Sequence, residues 1–272
     1  MKLKLSITVL LLLALAVTPQ ASERPRSERP DTYFTIEPGL EFTTASDVKR
    51  DGQTVSTRTS VTRALSPVEI DGLLLQHRRS KSTRTSREGS SFTGSYDYYQ
   101  LANEEMSCTY AYGATGEEPS RAFQYVDHCL YIDLKAPVRV GATWKHESPL
   151  FLYNPDLYEM APSKMTSTVQ GFESVTVGDV EFSNCVVLHE HALVNPAGKV
   201  TCTNGDQSLT DVKLERYRWL CPGLPDIKET TTELYFRRSN PDELCTTMTA
   251  KASVTEVVAP ESAPDPALPQ EK

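Results

Sequence analysis

The chain has 272 residues and a formal net charge of −8. Its length suits one large domain or two small ones, with a core that needs no metal to hold it, and its acidity excludes general binding to nucleic acid. Its six cysteines, Cys108, Cys129, Cys185, Cys202, Cys221 and Cys245, show no C-x-x-C spacing. This argues against zinc knuckles and thioredoxin-like sites and for disulfides in an oxidising compartment.

Residues 1–21 read as a secretory signal. Lys2 and Lys4 precede an apolar run over 7–17, shorter than the roughly 20 residues a membrane span needs. Ala14-Leu15-Ala16 fits the small-x-small cleavage rule, and Ala21 is a second cleavage position. No cysteine follows the run to carry a lipid, so the expectation is export without a stable membrane anchor. Residues 22–31 have nothing apolar to bury and read as a disordered linker. Residues 259–272 carry Pro260, Pro264, Pro266 and Pro269 among Ala and acids and read as a disordered tail.

Between these ends, residues 32–258 read as one mainly β domain. Thr, Val, Tyr and Phe recur, with turn signals every ten or so residues. Tyr33-Phe34-Thr35-Ile36 opens the series and leads into Pro38-Gly39. Residues 54–64 alternate Thr, Ser and Arg with Val. Asp71-Gly72 marks a tight turn before Leu73-Leu74-Leu75. Residues 108–112 and 123–126 flank a turn region and suggest a hairpin. Strands continue over 169–177, 180–191, 214–220, 233–237 and 248–258. No segment sustains a 3.6-residue period, so helix is expected only in short pieces near 154–160 and 240–244. The pentapeptide Ser-Thr-Arg-Thr-Ser occurs at 56–60 and again at 82–86. It reads as two neighbouring exposed strands with hydroxyls and Arg alternating on a wet face. The expected architecture is a single antiparallel, strongly curved sheet, either a half-barrel or a sandwich.

Four short motifs occur in order: Tyr33-Phe34 with Pro38-Gly39; Val140-Gly141-x-x-Trp144; Gly178 to Cys185 as Gly-Asp-Val-Glu-Phe-Ser-Asn-Cys; and Trp219-x-x-Pro222-Gly223-x-x-x-Ile227-Lys228. With these the chain resembles a broad group of exported bacterial β-rich proteins that close on aromatic-Ala-Pro-Gly-Val-Gly-Leu-Val-Lys. The group is similar to the lipoprotein-carrier (LolA/LolB-like) half-barrel. The resemblance spans roughly residues 33–235 and implies a curved antiparallel sheet but no catalytic residues. The chain departs from the pattern at Cys221, in place of Ala, and at Pro225, in place of the second Gly.

The residues that carry chemistry are few. His189-Glu190-His191 places two imidazoles on one face of a strand, where a metal would need a third ligand from His146 or Cys185. Two half-exposed histidines are the simpler reading. A Cys185–His189 nucleophile pair would need a free thiolate, which disulfide formation removes. The basic run over 76–87 suits anionic headgroups or polysaccharide, or else an edge strand protected by charge. Tyr96, Tyr98, Tyr99, Tyr110 and Tyr112 suit either a saccharide or peptide platform or ordinary strand packing. Gly89 to Gly94 lacks Gly-x-Ser-x-Gly spacing, and no phosphate-binding Gly-rich loop with Lys is present.

The sequence therefore leads to an exported, non-catalytic envelope protein that needs no cofactor. Its expected partner is an apolar or lipid-like small molecule, held in a groove with Trp144 and Trp219 among the walls. The alternatives are a surface interaction or adhesion module and a metal-dependent enzyme using the His189/His191 face. Cys108 with Cys129 is the expected first disulfide, bracketing a hairpin with its turn near Glu118-Pro119. Cys202–Cys221 and Cys185–Cys245 are assigned by guess.

Overall fold

A computed structural model describes residues 29–116, 129–150, 152–157 and 161–260. The readings for the signal, residues 22–28, the strand at 123–126, the turn at Glu118-Pro119 and residues 261–272 lie outside the described residues. The elements are α1 (Pro30–Phe34), β1 (Glu41–Arg50), β2 (Gln53–Ile70), β3 (Leu73–Ser86), β4 (Ser91–Ala102), β5 (Met106–Ala114), β6 (Tyr131–Lys135), β7 (Thr143–Leu150), β8 (Ala161–Val177), β9 (Val180–Val194), β10 (Lys199–Thr201), β11 (Gln207–Cys221), β12 (Leu224–Arg237) and β13 (Asn240–Val258).

All but β10 lie on one antiparallel path, β6-β5-β4-β3-β2-β1-β13-β12-β11-β9-β8-β7, and β10 pairs with β11 off it. Tight turns build this meander. Asp51-Gly52 and Asp71-Gly72 have positive φ at both positions, 49° and 82° in the first, 53° and 75° in the second. That conformation matches the right-handed twist of the flanking strands. The two path ends, β6 and β7, follow each other in the chain and lie side by side without a ladder between them. The sheet is thus a nearly closed barrel with a seam at β6–β7. The curvature is visible in one buried cluster that brings Cys108, Ile132 and Leu134 from β5 and β6 together with Val169, Val186, Leu188 and Leu220 from β8, β9 and β11.

Apolar side chains close both ends of the interior. At one end, Tyr33 and Phe34 of α1 are fully buried in that same cluster. At the other, Met165, Val194, Val212, Leu214, Tyr235 and Met248 pack together with Leu152, Tyr153 and Leu157. The segment carrying those last three residues is tied down by Arg50, whose guanidinium lies 2.8 Å from Asp156.

Several local expectations need correction. Tyr33-Phe34 forms helix, not strand, because Pro30 and Asp31 supply a favourable first turn and the interior buries both rings. Residues 30–31 are therefore part of the domain and not linker. Residues 240–244 are the start of β13, paired with β12 from Arg237↔Asn240; the ladder outweighs any local helical tendency. Residues 154–157 form a turn. Cys108–Cys129 is present, with Cα atoms 5.8 Å apart. The other four cysteines pair as Cys185–Cys221 and Cys202–Cys245, not as guessed. Val186↔Leu220 are register partners on β9 and β11, so Cys185 and Cys221 lie next along the ladder, Cα atoms 4.0 Å apart. Cys202 sits beside β13, where the Thr203 N–H donates to the Cys245 carbonyl at 2.8 Å. The two copies of Ser-Thr-Arg-Thr-Ser are neighbours, paired residue for residue from Ser56↔Ser86 to Ser60↔Ser82.

Candidate functional site

Register partners share a face of the sheet. Trp144, Ser167, Glu190, Arg216 and Thr231 are successive partners across β7, β8, β9, β11 and β12, and this row points into the barrel. Glu190, fully buried, accepts from Arg216 Nε at 2.7 Å and from the Tyr131 hydroxyl. Arg218 contacts Asp133 at 2.8 Å, Asp226 at 2.7 Å and Glu190 at 3.7 Å. The Tyr131 ring lies 5.1 and 5.3 Å from the Arg216 and Arg218 guanidinium carbons. Gln100 and Thr109 complete Asp133 at 3.3 Å each. A belt of charge thus crosses the interior, tying β4, β5 and β6 to β9, β11 and β12.

Each carboxylate in the belt responds to its surroundings. Burial pushes Glu190 up, but Arg216 and Arg218 outweigh it and hold the carboxyl below its usual range. Burial also raises Asp133, against the pull of Arg218. His146, two residues along β7 from Trp144, is pushed down to about 4, first by burial and then by Arg216 and Arg218 against Glu190. Both its ring nitrogens are buried without partners. It is a neutral ring packed edge-on to Tyr131 at 5.1 Å.

The wing formed by β2 to β5 continues the inner face with polar side chains of a different kind. Ala64, Arg78, Tyr98 and Tyr112 form one inward row, and Ser46, Arg58 and Arg84 another. Between them, Thr62 donates to Ser80 at 3.0 Å, Arg58 donates to Ser82 at 2.7 Å, and the Ser60 and Ser82 hydroxyls lie 2.7 Å apart. The Tyr98 and Tyr112 rings stack with centroids 6.3 Å apart. These residues face inward, yet Ser46, Ser60, Arg78, Tyr96, Tyr98 and Tyr112 are only half-buried and Arg58 and Arg84 are exposed. This half of the interior is reachable by water.

The residues singled out in the sequence are dispersed. Trp144 is 8% exposed and belongs to the interior cluster. Trp219 lies on the opposite, outer face, where its indole N–H donates to Glu173 at 2.8 Å and Lys228 sits 4.2 Å above the ring. The two tryptophans therefore do not share one groove. His189 and His191 are also on the outer face, their rings 5.6 Å apart. His189 stacks on Tyr217 at 4.6 Å and hydrogen-bonds Glu215. Neither proposed third ligand joins them, since His146 points inward and Cys185 is in a disulfide. Among the described residues no group of three His, Cys, Asp or Glu side chains is arranged to hold a metal ion. The basic run is β3, split between the faces: Arg78 and Arg84 point inward, while outward Arg79 pairs with Asp97 at 2.9 Å. Tyr98 and Tyr112 line the interior, whereas Tyr99 stacks on His77 at 4.7 Å on the other face.

Two shallow clefts mark the surface. One, of 490 Å³, lies at the seam and is lined by Lys135, Ala136, Pro137, Arg139, Ala142 and Trp144 among others. The other, of 470 Å³, crosses β2, β1, β13 and β12. The belt and the inward arginines went unrecognised in the sequence. The signal for the second was the repeated pentapeptide, whose two arginines, Arg58 and Arg84, become direct cross-strand partners.

No family model matches the chain, and no curated protein matches it in sequence. Among solved structures, it is similar to a candidate lipoprotein of Parabacteroides distasonis, at 11% identity and a TM-score of 0.40, covering 84% of this chain and 98% of that one. It is also similar to a candidate exported protein with a YmcC-like fold from Bacteroides fragilis, at 9% identity and a TM-score of 0.38, covering 82% of this chain and 97% of that one.

Proposed function

We propose that this chain is an exported, non-catalytic protein of the cell envelope that works by holding a ligand in the polar half of its barrel. All six cysteines are in disulfides, which supports an oxidising compartment. The same bonds leave Cys185 no thiolate for nucleophilic chemistry. The observation that carries the reading is the inner face of β2 to β5, where Arg58, Ser60, Arg78, Arg84, Tyr96, Tyr98 and Tyr112 point inward and remain at least partly open to solvent. Side chains that face inward without filling the interior leave concave space, and convergent polar groups there give orientation to a bound solute. Native mass spectrometry of protein purified without detergent tests this. The expected result is a co-purified polar solute that is lost when Ser46→Trp fills the mouth, with the fold checked by circular dichroism. A bare wild-type protein, or a solute unaffected by Ser46→Trp, sinks the reading.

The seam cleft favours a second occupant, the apolar or lipid-like ligand expected from the sequence. Trp144, Ala136, Pro137 and Ala142 give it an apolar floor, and Lys135 and Arg139 a cationic rim. Titration with a fluorescent fatty acid separates the tryptophans. Quenching that disappears in Trp144→Phe and persists in Trp219→Phe fits this cleft; absence of saturable quenching removes it.

A further inference from the structure

We infer that the ligand of the polar half-barrel is an oxyanion, a solute bearing carboxylate or phosphate, and that Arg78 is its principal anchor, with Arg58 and Arg84 at the mouth. The inference rests on the reading of that space as the binding site and adds the chemistry of its occupant.

The arginines of the charged belt are matched. Arg216 and Arg218 each touch at least one carboxylate. Asp133 is filled by Arg218, Gln100 and Thr109, and Glu190 by Arg216, Tyr131 and Ser167. Arg78 has neither a hydrogen bond nor an ion pair among the described residues, and its Nε is buried without a partner. Burial lowers its affinity for the proton, and the carboxylates of Asp226 and Asp133 oppose this only from a distance. A guanidinium nitrogen buried without a partner costs stability, so its retention calls for a partner that the described residues do not supply. The planar fork of Arg is suited to bidentate binding of carboxylate and phosphate oxygens.

Arg58 and Arg84 extend the same argument. They are direct cross-strand partners, and like charges placed opposite each other repel. Among the described residues, the only side-chain bond that either guanidinium makes is that of Arg58 to Ser82, a neutral group. Three cations thus face one space, alongside the hydroxyls of Ser60, Ser80, Ser82 and Thr62 and the amphipathic rings of Tyr98 and Tyr112. On the outer face of the same strands, Arg79 has Asp97. Three cations turned to one concave space without a carboxylate in contact among the described residues are the complement of an anion.

The test uses the full mature chain, with calorimetric titration and thermal melts in inorganic phosphate and in citrate at constant ionic strength, and glucose as the neutral control. Wild type is expected to bind one or both anions saturably and to melt at higher temperature in their presence. Arg78→Met, which keeps the length of the side chain, is expected to weaken binding by about tenfold or more, the loss of a charge-assisted bond. It should also melt higher than wild type without anion, because an uncompensated charge has been removed. Lys81→Met, on the outward side of β3, should match wild type in both respects. Phosphate alone or citrate alone binding identifies which oxyanion is taken. The inference is overturned if wild type binds neither anion, if Lys81→Met weakens binding as much as Arg78→Met, or if Arg78→Met melts lower. If wild type fails with both anions but still yields a neutral co-purified solute that Ser46→Trp abolishes, the inference falls and the ligand-holding reading stands; if that solute is missing too, both fall.

Discussion

Glu233 makes the barrel's stability depend on pH in a direction opposite to that of an ordinary paired carboxylate. It is fully buried on the inner face of β12, between Leu214 and Met248 in the ladder. It accepts from the Tyr235 hydroxyl at 2.5 Å and the Tyr153 backbone N–H at 2.9 Å. Burial pushes its pKa from 4.5 up to about 7, against the smaller pull of Tyr235, Tyr153 and Arg216. Because the folded value lies above the unfolded one, the folded state holds its proton where the unfolded chain has released it. Stability from this group is therefore present below about pH 4.5 and is lost as pH rises to about 7. The full swing is about 3 kcal/mol. Glu233→Gln removes the titration and keeps the shape. Urea denaturation at pH 5 and pH 8 is expected to show the variant gaining on wild type as pH rises, by up to about 3 kcal/mol. A difference between the two proteins that does not change with pH, or one that moves in favour of wild type, would refute the assignment.

Three further outcomes follow from the same structure. Arg218→Leu leaves Asp133 and Asp226 without their closest cation and should cost about 3–5 kcal/mol, read by chemical denaturation. Non-reducing peptide mapping should link Cys185 to Cys221 and Cys202 to Cys245, and Cys185→Ala with Cys221→Ala should cost about 3–4 kcal/mol in the loop-entropy model. Gly72→Ala forces a Cβ into a backbone with φ of 75° and should cost about 1 kcal/mol, with little effect at an exposed Ser such as Ser90.

The strands were legible because their turns carry their own chemistry. Asp71-Gly72 specifies a two-residue hairpin wherever it stands, and the paired pentapeptides announced adjacent strands. The disulfides were not legible beyond Cys108–Cys129, because cysteine spacing along the chain says nothing about which residues meet across a ladder. The charged belt was missed for a related reason. Leu214 to Leu220 alternates Leu, Arg, Arg and Leu with Glu, Tyr and Trp, and the usual rule puts charge on the wet face. Here Arg216 and Arg218 face inward, because β6 brings Tyr131 and Asp133, and β9 brings Glu190, to meet them. The rings of Tyr217 and Trp219 take the outer side, which is why two tryptophans expected on one wall lie on opposite faces. Helix α1 was unreadable for want of length: five residues do not establish a period, and only the cavity they close explains them.

The ladder between β1 and β13 joins the start of the folded chain to its end. On either side of it, β1 to β6 and β7 to β13 are runs of neighbouring strands that need only local contacts. Each half can assemble from its own neighbouring strands, but the barrel waits for residue 258 before its two halves can be zipped together. Until then β1 and β13 both present bare strand edges. If the β13 edge of one molecule meets the β1 edge of another first, the same hydrogen bonds form between two chains, and the product is an intertwined dimer built from unaltered halves.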